Sequence, residues 1–487
     1  MPNPIVATNL QWPERIADFA AALEAKCGDI VWLDSAAPAW STDARPVSII
    51  GFAPAAVIEQ FAGQPARLSA DGRVIAESAS IWDLWRQTTH RLETWHRAAH
   101  HPSGAGPGWI GYIAFEAARL LERLPQRRRD GALGLPIARL ALYDRVACRD
   151  HTTGRAWRLD APGTRERLGI DAFNAARWDT TWGSACAASP AQPAGAASQL
   201  CFEQTRTQFQ AAVARVQSYI VAGDVYQVNL AHRARLRLAA SPARTYARVR
   251  LANPAAYGAV LSWQGAERCG VLSVSPERML EVRGRQAISS PIKGTRPRVG
   301  NRERDAAARA ELLASAKDAA ELAMIVDLHR NDLGRVCVPG SIRVESARRL
   351  EEHPRVFHTV ADVAGCLRDG CNAIDALAAS FPAGSVTGVP KIRALQLIDE
   401  LEPVERGAYC GAIGWLGLDG DATWNVAIRT LQVAGACATL HVGGGIVAES
   451  TPPDEFDETL AKARGLLDGL GLTGGAARLE GAQCANG

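Results

Sequence analysis

The sequence predicts an α+β fold built on largely antiparallel sheet. Strand-like runs come in neighbouring groups, such as "VYQVNLAHRARL", "YGAVLSWQG" and "GVLSVSPERMLEV", rather than in strict alternation with helices. Helices with recognisable start and stop signals fall between and after those groups. With 487 residues the chain exceeds the usual size of one core, which implies two or three domains or one large composite unit.

The first part, residues 1–182, mixes short β-like runs ("DIVWLDSA", "VSIIGFAP", "RLALYDRVA") with Gly-rich stretches read as turns, such as "SGAGPGWIGY". Residues 183–200, beginning "GSACAASPAQPAGAASQ", are rich in Ala, Ser, Pro, Gly and Gln and read as a linker or exposed loop. Residues 201–472 follow as the second part, and 473–487 as a short tail. A helix opens the second part. Thr205 and Gln208 have capping-box spacing, Phe209, Val213, Val216 and Ile220 form one apolar stripe, and Gly223 suits the C′ position. "SSPIKGTRP" reads as a strand end running into a tight loop, with Gly294 supplying backbone freedom. A helical region spans about 301–333 and another about 391–401. "YCGAIGWLGL", "ATWNVAIRTLQV" and "ATLHVGGGIVAES" read as strands. A helix over about 453–470, opened by paired prolines, ends the pattern.

Composition narrows the function classes. A formal charge of +3 is near neutral for this length, and the run Arg127–Arg129 reads as a solvated loop. No basic stripe interleaved with aromatics accompanies it, so no nucleic-acid partner is expected. No run of about 18 apolar residues suggests a membrane span. Eleven cysteines are scattered with no CxxC, and the first residues lack a signal-peptide pattern, so a cytoplasmic setting is expected.

Two acidic pairs are the first candidates for chemistry. Asp318 and Glu321 lie three apart on one predicted helix, and Glu455 and Glu458 three apart on the last. That spacing puts each pair on one helix face, where like charges repel and a cation should compensate. If the two helices converge, they form an oxygen-only site suited to Mg²⁺; otherwise they are two solvated faces. Gly443, Gly444 and Gly445 either bring backbone N–H groups to an anion or relieve crowding in a sheet. Arg429 alternates with apolar residues in a strand-like run and needs an anionic partner, from the protein or from a ligand. His358 is either an acid/base or a hydrogen-bonded core histidine. "FPAGSVTGVPK" is a hydroxyl-rich loop feeding a helix. Lys293 of "PIKGT" is a surface charge, a phosphate contact or a nucleophile.

Taken together, "SPER", "PIKGT", "AELAMIVDLHRNDLGRV", "FPAGSVTGVPK", "YCGAIGW", "NVAIRT", "GGGIVAES" and "EFDETLAKA" resemble the chorismate-utilising enzymes in order and spacing, from about 202 to 470. The resemblance implies two large antiparallel sheets packed together with helices outside. It implies chorismate and Mg²⁺, with Glu321 and Glu458 as metal ligands, and Asp318 and Glu455 acting partly through water. Asp318 stands where the resemblance implies a glutamate. Tyr409, Arg429, Gly443 and Gly445 would bind one substrate carboxylate. Gly294, Thr295 and Thr387 would line the rest of the pocket, with Glu277 and His358 near the ring.

Two positions divide the family by chemistry. Gln227 stands where isochorismate-forming members carry a water-activating lysine, and an amide is no such base. Lys293 stands where anthranilate-forming members usually read alanine. That lysine resembles the mark of the 4-amino branch, aminodeoxychorismate synthase component I, which leads to p-aminobenzoate and folate. There the lysine would act as a nucleophile on the ring and Glu277 as an acid. The chain carries no nucleophilic-cysteine elbow of a glutaminase, so the resemblance implies a separate glutaminase subunit, component II, as the ammonia source. Relatives also bind tryptophan near a strand like "VWLDSA", which makes a bound tryptophan an expectation for the first part.

Overall fold

The computed structural model describes residues 5–35, 46–96, 104–125, 133–171, 175–189 and 195–472. The Arg127–Arg129 run, Ala36 and the 473–487 tail lie outside the described residues. Two twelve-stranded sheets dominate, and every described ladder is antiparallel. Their facing sides meet in an apolar layer that holds Val31, Ile49, Ala259, Leu261 and Val271 from one sheet. Ile110, Tyr112, Ala141, Ile413 and Trp415 come from the other. Helices cover the outer faces, as where Pro452–Gly469 packs on the strand Cys437–Ile446 and on the helices Arg206–Val221 and Pro242–Ala252. The α+β sandwich expected from the sequence is the observed one.

The two halves of the chain share both sheets. Ile30–Asp34 pairs with Tyr257–Gln264 in the first sheet, and Gly108–Ile113 with Ala412–Gly417 in the second. The stretch read as a Gly-rich turn, "GPGWIGY", is therefore a buried central strand. Its glycines answer to crowding. A Cβ on Gly111 would lie 2.0 Å from the carbonyl oxygen of Arg139, and one on Gly108 2.1 Å from that of Leu416. The 183–200 segment is shorter than the composition suggests. Gly183–Cys186 ends the helix Ala175–Cys186, and Ser198 starts the strand Ser198–Phe202.

Several local signals hold. Thr205 caps Arg206–Val221 in a reciprocal box with Gln208, and Gly223 follows with φ of 81°. The 301–333 region is two helices, Arg302–Ala314 and Ala316–Gly334, because Ser315 takes an extended backbone and caps the second through Asp318 N. "SSPIKGTRP" forms two strands, Gln286–Ser290 and Ile292–Pro297, broken at Pro291. Lys293 thus stands on a strand rather than in a loop. The register slips between Lys293 and Thr295, and Gly294 takes φ of 77° at that bulge.

Candidate active site

The site forms where the chain crosses between the two sheets. "GVLSVSPERMLEV" reads as one strand but is two: Arg268–Ser275 in the first sheet and Arg278–Arg283 in the second. Pro276 interrupts the ladder, and Glu277 sits on the crossover. "ATWNVAIRTLQV" makes the reverse crossing, from Ala422–Val426 to Thr430–Ala434. Arg429 is therefore not in a strand; it ends the second crossover with φ of 52°. The crossings are tied together, because Val426 N donates to Glu277 O at 3.0 Å and Val274 N to Arg429 O at 3.1 Å.

Lys293 faces into this junction. Burial pushes its amine below the ordinary lysine range, and Lys462 adds to the effect, against the pull of Glu321, Glu277 and Glu458. A Cβ on Gly445 would lie 3.4 Å from Lys293 Nζ and 2.9 Å from Gln227 Nε2, so this glycine opens the space that the lysine and the amide occupy. Gln227 is fully buried, and neither of its side-chain polar atoms has a partner among the described residues. Such an amide costs stability unless a ligand completes its bonds.

Glu277 is buried, and its Oε1 accepts from Ser385 Oγ at 2.6 Å. Burial pushes its carboxyl up to about 7, against the pull of Ser385, Lys293 and the backbone at Ile292. A carboxyl poised there can give and take a proton near neutrality. His358 lies beside Thr295, with Nδ1 2.9 Å from Thr295 Oγ1, while Nε2 is buried without a partner among the described residues. Burial, with His353 and Arg429 nearby, holds the imidazole well below its ordinary value and therefore neutral. Arg429 has no carboxylate partner among the described residues, and burial lowers its guanidinium from the ordinary value. A half-buried, unpaired arginine beside a neutral imidazole is a receptor for an anionic ligand group.

The acidic pairs come from the helices Ala316–Gly334 and Pro452–Gly469. The first packs on the strand Ile292–Pro297 that carries Lys293, and the second on the strand Cys437–Ile446 whose Gly445 faces that lysine, so the two helices converge on it. Protein cations already compensate them in part. Lys462 Nζ lies 2.7 Å from Glu458 Oε1 and 3.0 Å from Gly443 O, and Arg296 lies 3.1 Å from Asp318 Oδ2. Burial raises Glu458's carboxyl, but Lys462, Lys293 and Lys317 together hold the group below its ordinary value. Glu455 accepts from Ser450 Oγ at 2.5 Å, and burial raises its carboxyl. No three His, Cys, Asp or Glu side chains among the described residues gather as a metal-holding group. The two helices nevertheless bring only carboxylates in Asp318, Glu321, Glu455 and Glu458, the group type suited to Mg²⁺ completed by water and an anionic substrate.

The remaining expected residues surround the same junction with unequal roles. Asp318 packs against Gly294, where a Cβ would come within 3.1 Å of its Cβ and Cγ. Thr387 is buried and donates to the carbonyls of Ala383 and Gly384, so its hydroxyl proton serves its own loop. Tyr409 is buried and stacked on His441 at 5.5 Å, next to Cys410, whose N–H bonds Ala427 O at the second crossover. Gly443 faces the neighbouring strand, with Leu230 O 2.5 Å from its would-be Cβ. Its need is sheet crowding, and only its carbonyl reaches the junction, through Lys462. Ser385 and Lys462 escaped the sequence reading. A serine inside "PAGSV" gives no signal until the fold brings it to Glu277, whereas Lys462 stands four residues after Glu458 on one helix, a spacing that could have paired them.

The family model for chorismate binding enzyme matches residues 29–468. The chain belongs to the chorismate-binding enzymes. Anthranilate synthase component 1 of Streptomyces coelicolor is 39% identical over 372 residues, covering 74% of this chain and 72% of that protein. Aminodeoxychorismate synthase component 1 of Bacillus subtilis is 33% identical over 430 residues, covering 88% and 89%. Among solved structures, anthranilate synthase component I from Streptococcus pneumoniae TIGR4 superposes with a TM-score of 0.73 at 27% identity, covering 88% and 93%. The protein is accordingly a chorismate-utilising enzyme of the two-sheet fold. No helix among the described residues is long and apolar enough to cross a membrane.

A cavity lies between the sheets, and Lys293 is not among the residues that line it. Leu33, Asp34 and Ser35 of the "VWLDSA" strand line it with Val47 and Ile49, opposite Trp415 and Asn425. Asp34 is held there by Arg250 at 2.5 Å and Tyr246 at 3.1 Å.

Proposed function

We propose that this enzyme makes 4-amino-4-deoxychorismate from chorismate and ammonia. The observation that carries the reading is Lys293: a lysine amine at the sheet crossing, with no hydrogen-bonded partner among the described residues and a basicity lowered by burial. Arg429, with Tyr409 beside its crossover, would take one substrate carboxylate, and His358 and Thr295 would border the ring. A Mg²⁺ ion held by Glu321 and Glu458, with Asp318 and Glu455 behind them, would bind a substrate carboxylate and offset its charge.

The residues then divide the work. The neutral amine of Lys293 forms a bond to C2, the ring double bonds shift, and the C4–O bond breaks. Glu277 gives its proton to the leaving hydroxyl, which departs as water. Ammonia next bonds to C4, the double bonds shift back, and the C2–N bond breaks to release the lysine amine. The Glu277 carboxylate takes a proton from the new ammonium group. Chorismate and ammonia are consumed, and the amino product and water are formed. The ammonia would come from a separate glutaminase subunit, a reading supported by relatives named as component 1. The cavity beside Asp34 and Ser35 would suit a bound amino acid such as tryptophan.

A second reading is anthranilate formation by direct attack of ammonia at C2, favoured by the relative at 39% identity. Incubation of the chain with chorismate, Mg²⁺ and ammonium, followed by product identification, separates the two. The 4-amino compound, converted by an added lyase to p-aminobenzoate, is expected. Anthranilate as the main product would overturn the branch assignment.

A further inference from the structure

The imidazole of His358 rests against a buried charged chain that the reaction above does not use. His353 lies in the turn between the strands Arg343–Glu352 and Val356–Cys366. Its ring meets that of His358 edge-on, 4.9 Å between centroids and 73° between planes. His353 Nε2 is 3.2 Å from Glu351 Oε2, and Arg349 donates to the other oxygen of Glu351. Arg349 Nε also donates to Asp362 at 2.6 Å, and Asp362 accepts from Ser290 Oγ at 2.6 Å. Arg278 closes the chain, donating to Ser290 and to Glu281.

Buried charges of this kind stabilise a fold little compared with apolar residues of the same volume. A chain of them that ends on one side chain is better explained by what it holds. It ends on a ring that is 3% exposed, with Nδ1 on Thr295 and Nε2 without a partner among the described residues. When Thr295 donates to Nδ1, Nε2–H is left to donate to a substrate oxygen. A small rotation of the ring would break the first bond and misdirect the second.

We propose that His353 and Glu351 are positioning residues for His358, fixing its ring so that Nε2 faces the substrate. They touch neither substrate nor metal. Every element packed on His358 then has a part. His353 buttresses it from the turn, Thr295 and the Gly294 backbone orient it from the neighbouring strand, and Arg429 faces it from the crossover. Burial raises the Glu351 carboxyl, but His353 and Arg349 outweigh it and keep it charged, so the buttress persists across neutral pH.

The inference rests on chorismate turnover at this junction, and the test separates the two. His353→Ala, His353→Phe and Glu351→Gln are compared with the parent chain for kcat and KM against pH, using chorismate, Mg²⁺ and ammonium. The same proteins, labelled with ¹⁵N-histidine, give the ring signals of His358, assigned with His358→Gln. His353→Ala is expected to lower kcat roughly tenfold or more with a smaller change in KM. It should also move the His358 signals toward tautomer averaging. His353→Phe keeps the edge contact and should recover most of both, with Glu351→Gln between. Parent-like His358 signals and kcat in His353→Ala would overturn the proposal. If that variant does not fold, a parent-like profile in Glu351→Gln together with an Ala-like failure of His353→Phe overturns it instead. A parent chain that does not consume chorismate defeats the functional reading, while the ring signals still decide the positioning.

Discussion

Lys391 and Lys293 are both buried, and burial pushes both amines below the ordinary lysine range. They differ in how they are satisfied. Lys391 Nζ donates to Asp332 at 2.6 Å and to Ser380 O at 3.3 Å, so its charge is matched inside the fold. Lys293 has carboxylates around it but no hydrogen-bonded partner among the described residues. Two arginines repeat the contrast. Arg406 gives its donors to Glu402, Val386 O and Asn229 O, while Arg429 meets no carboxylate among the described residues. A buried cation that the protein completes belongs to the scaffold. One left incomplete is held ready for something that arrives.

The sharpest way to break that comparison is to remove each lysine. Lys293→Ala should cut formation of the 4-amino product by on the order of 10³-fold, about 4 kcal/mol of barrier, with little change in melting temperature. Lys391→Met should do the opposite. It leaves the buried Asp332 with only Arg335, 3.8 Å away, which costs about 3 kcal/mol of stability, while turnover per folded molecule stays close to the parent. Product analysis and thermal unfolding of the two variants decide it. Retained full activity in Lys293→Ala would sink the covalent route.

The arginines give a smaller effect of the same form. Arg429→Lys keeps the charge but loses the planar fork, so KM for chorismate should rise about tenfold, or roughly 1.4 kcal/mol, with stability unchanged. Arg406→Lys should leave KM nearly alone and lower the unfolding midpoint, because Glu402 and two backbone carbonyls lose donors. Equal effects of the two substitutions on KM would erase the distinction between scaffold and receptor.

The same contrast explains how much of this was legible beforehand. Capped helices were, because a cap such as Thr205–Gln208 is a local pattern of four residues. The acidic pairs were, because helical spacing alone sets which residues share a face. The crossovers were not. Alternation of apolar and polar residues shows that a stretch is extended but not which sheet it joins, and only Pro276 marks the break in "LSVSPERML". The central strand Gly108–Ile113 was also hidden, since its glycines answer to backbone neighbours distant in sequence. Residues acting through another residue were the least visible. Ser385, His353 and Glu351 have ordinary local surroundings and gain meaning only from the side chains the fold places beside them.

Ser385 supplies the finest test. Its hydroxyl bond lowers the Glu277 carboxyl, which burial otherwise raises, leaving it at about 7. Acid assistance needs the protonated form, so kcat/KM should fall as pH rises through that value. Ser385→Ala removes the bond and lets Glu277 titrate higher, so the alkaline limb should move to higher pH while the plateau changes by only a few-fold. Attack needs the neutral amine of Lys293, which burial favours. The limb that reports the lysine should stay in place, because Ser385 does not touch Lys293. If both limbs move together, Glu277 and Lys293 titrate as one coupled pair. The incomplete lysine would then have the carboxyl as its standing partner, and the contrast with Lys391 would be one of degree.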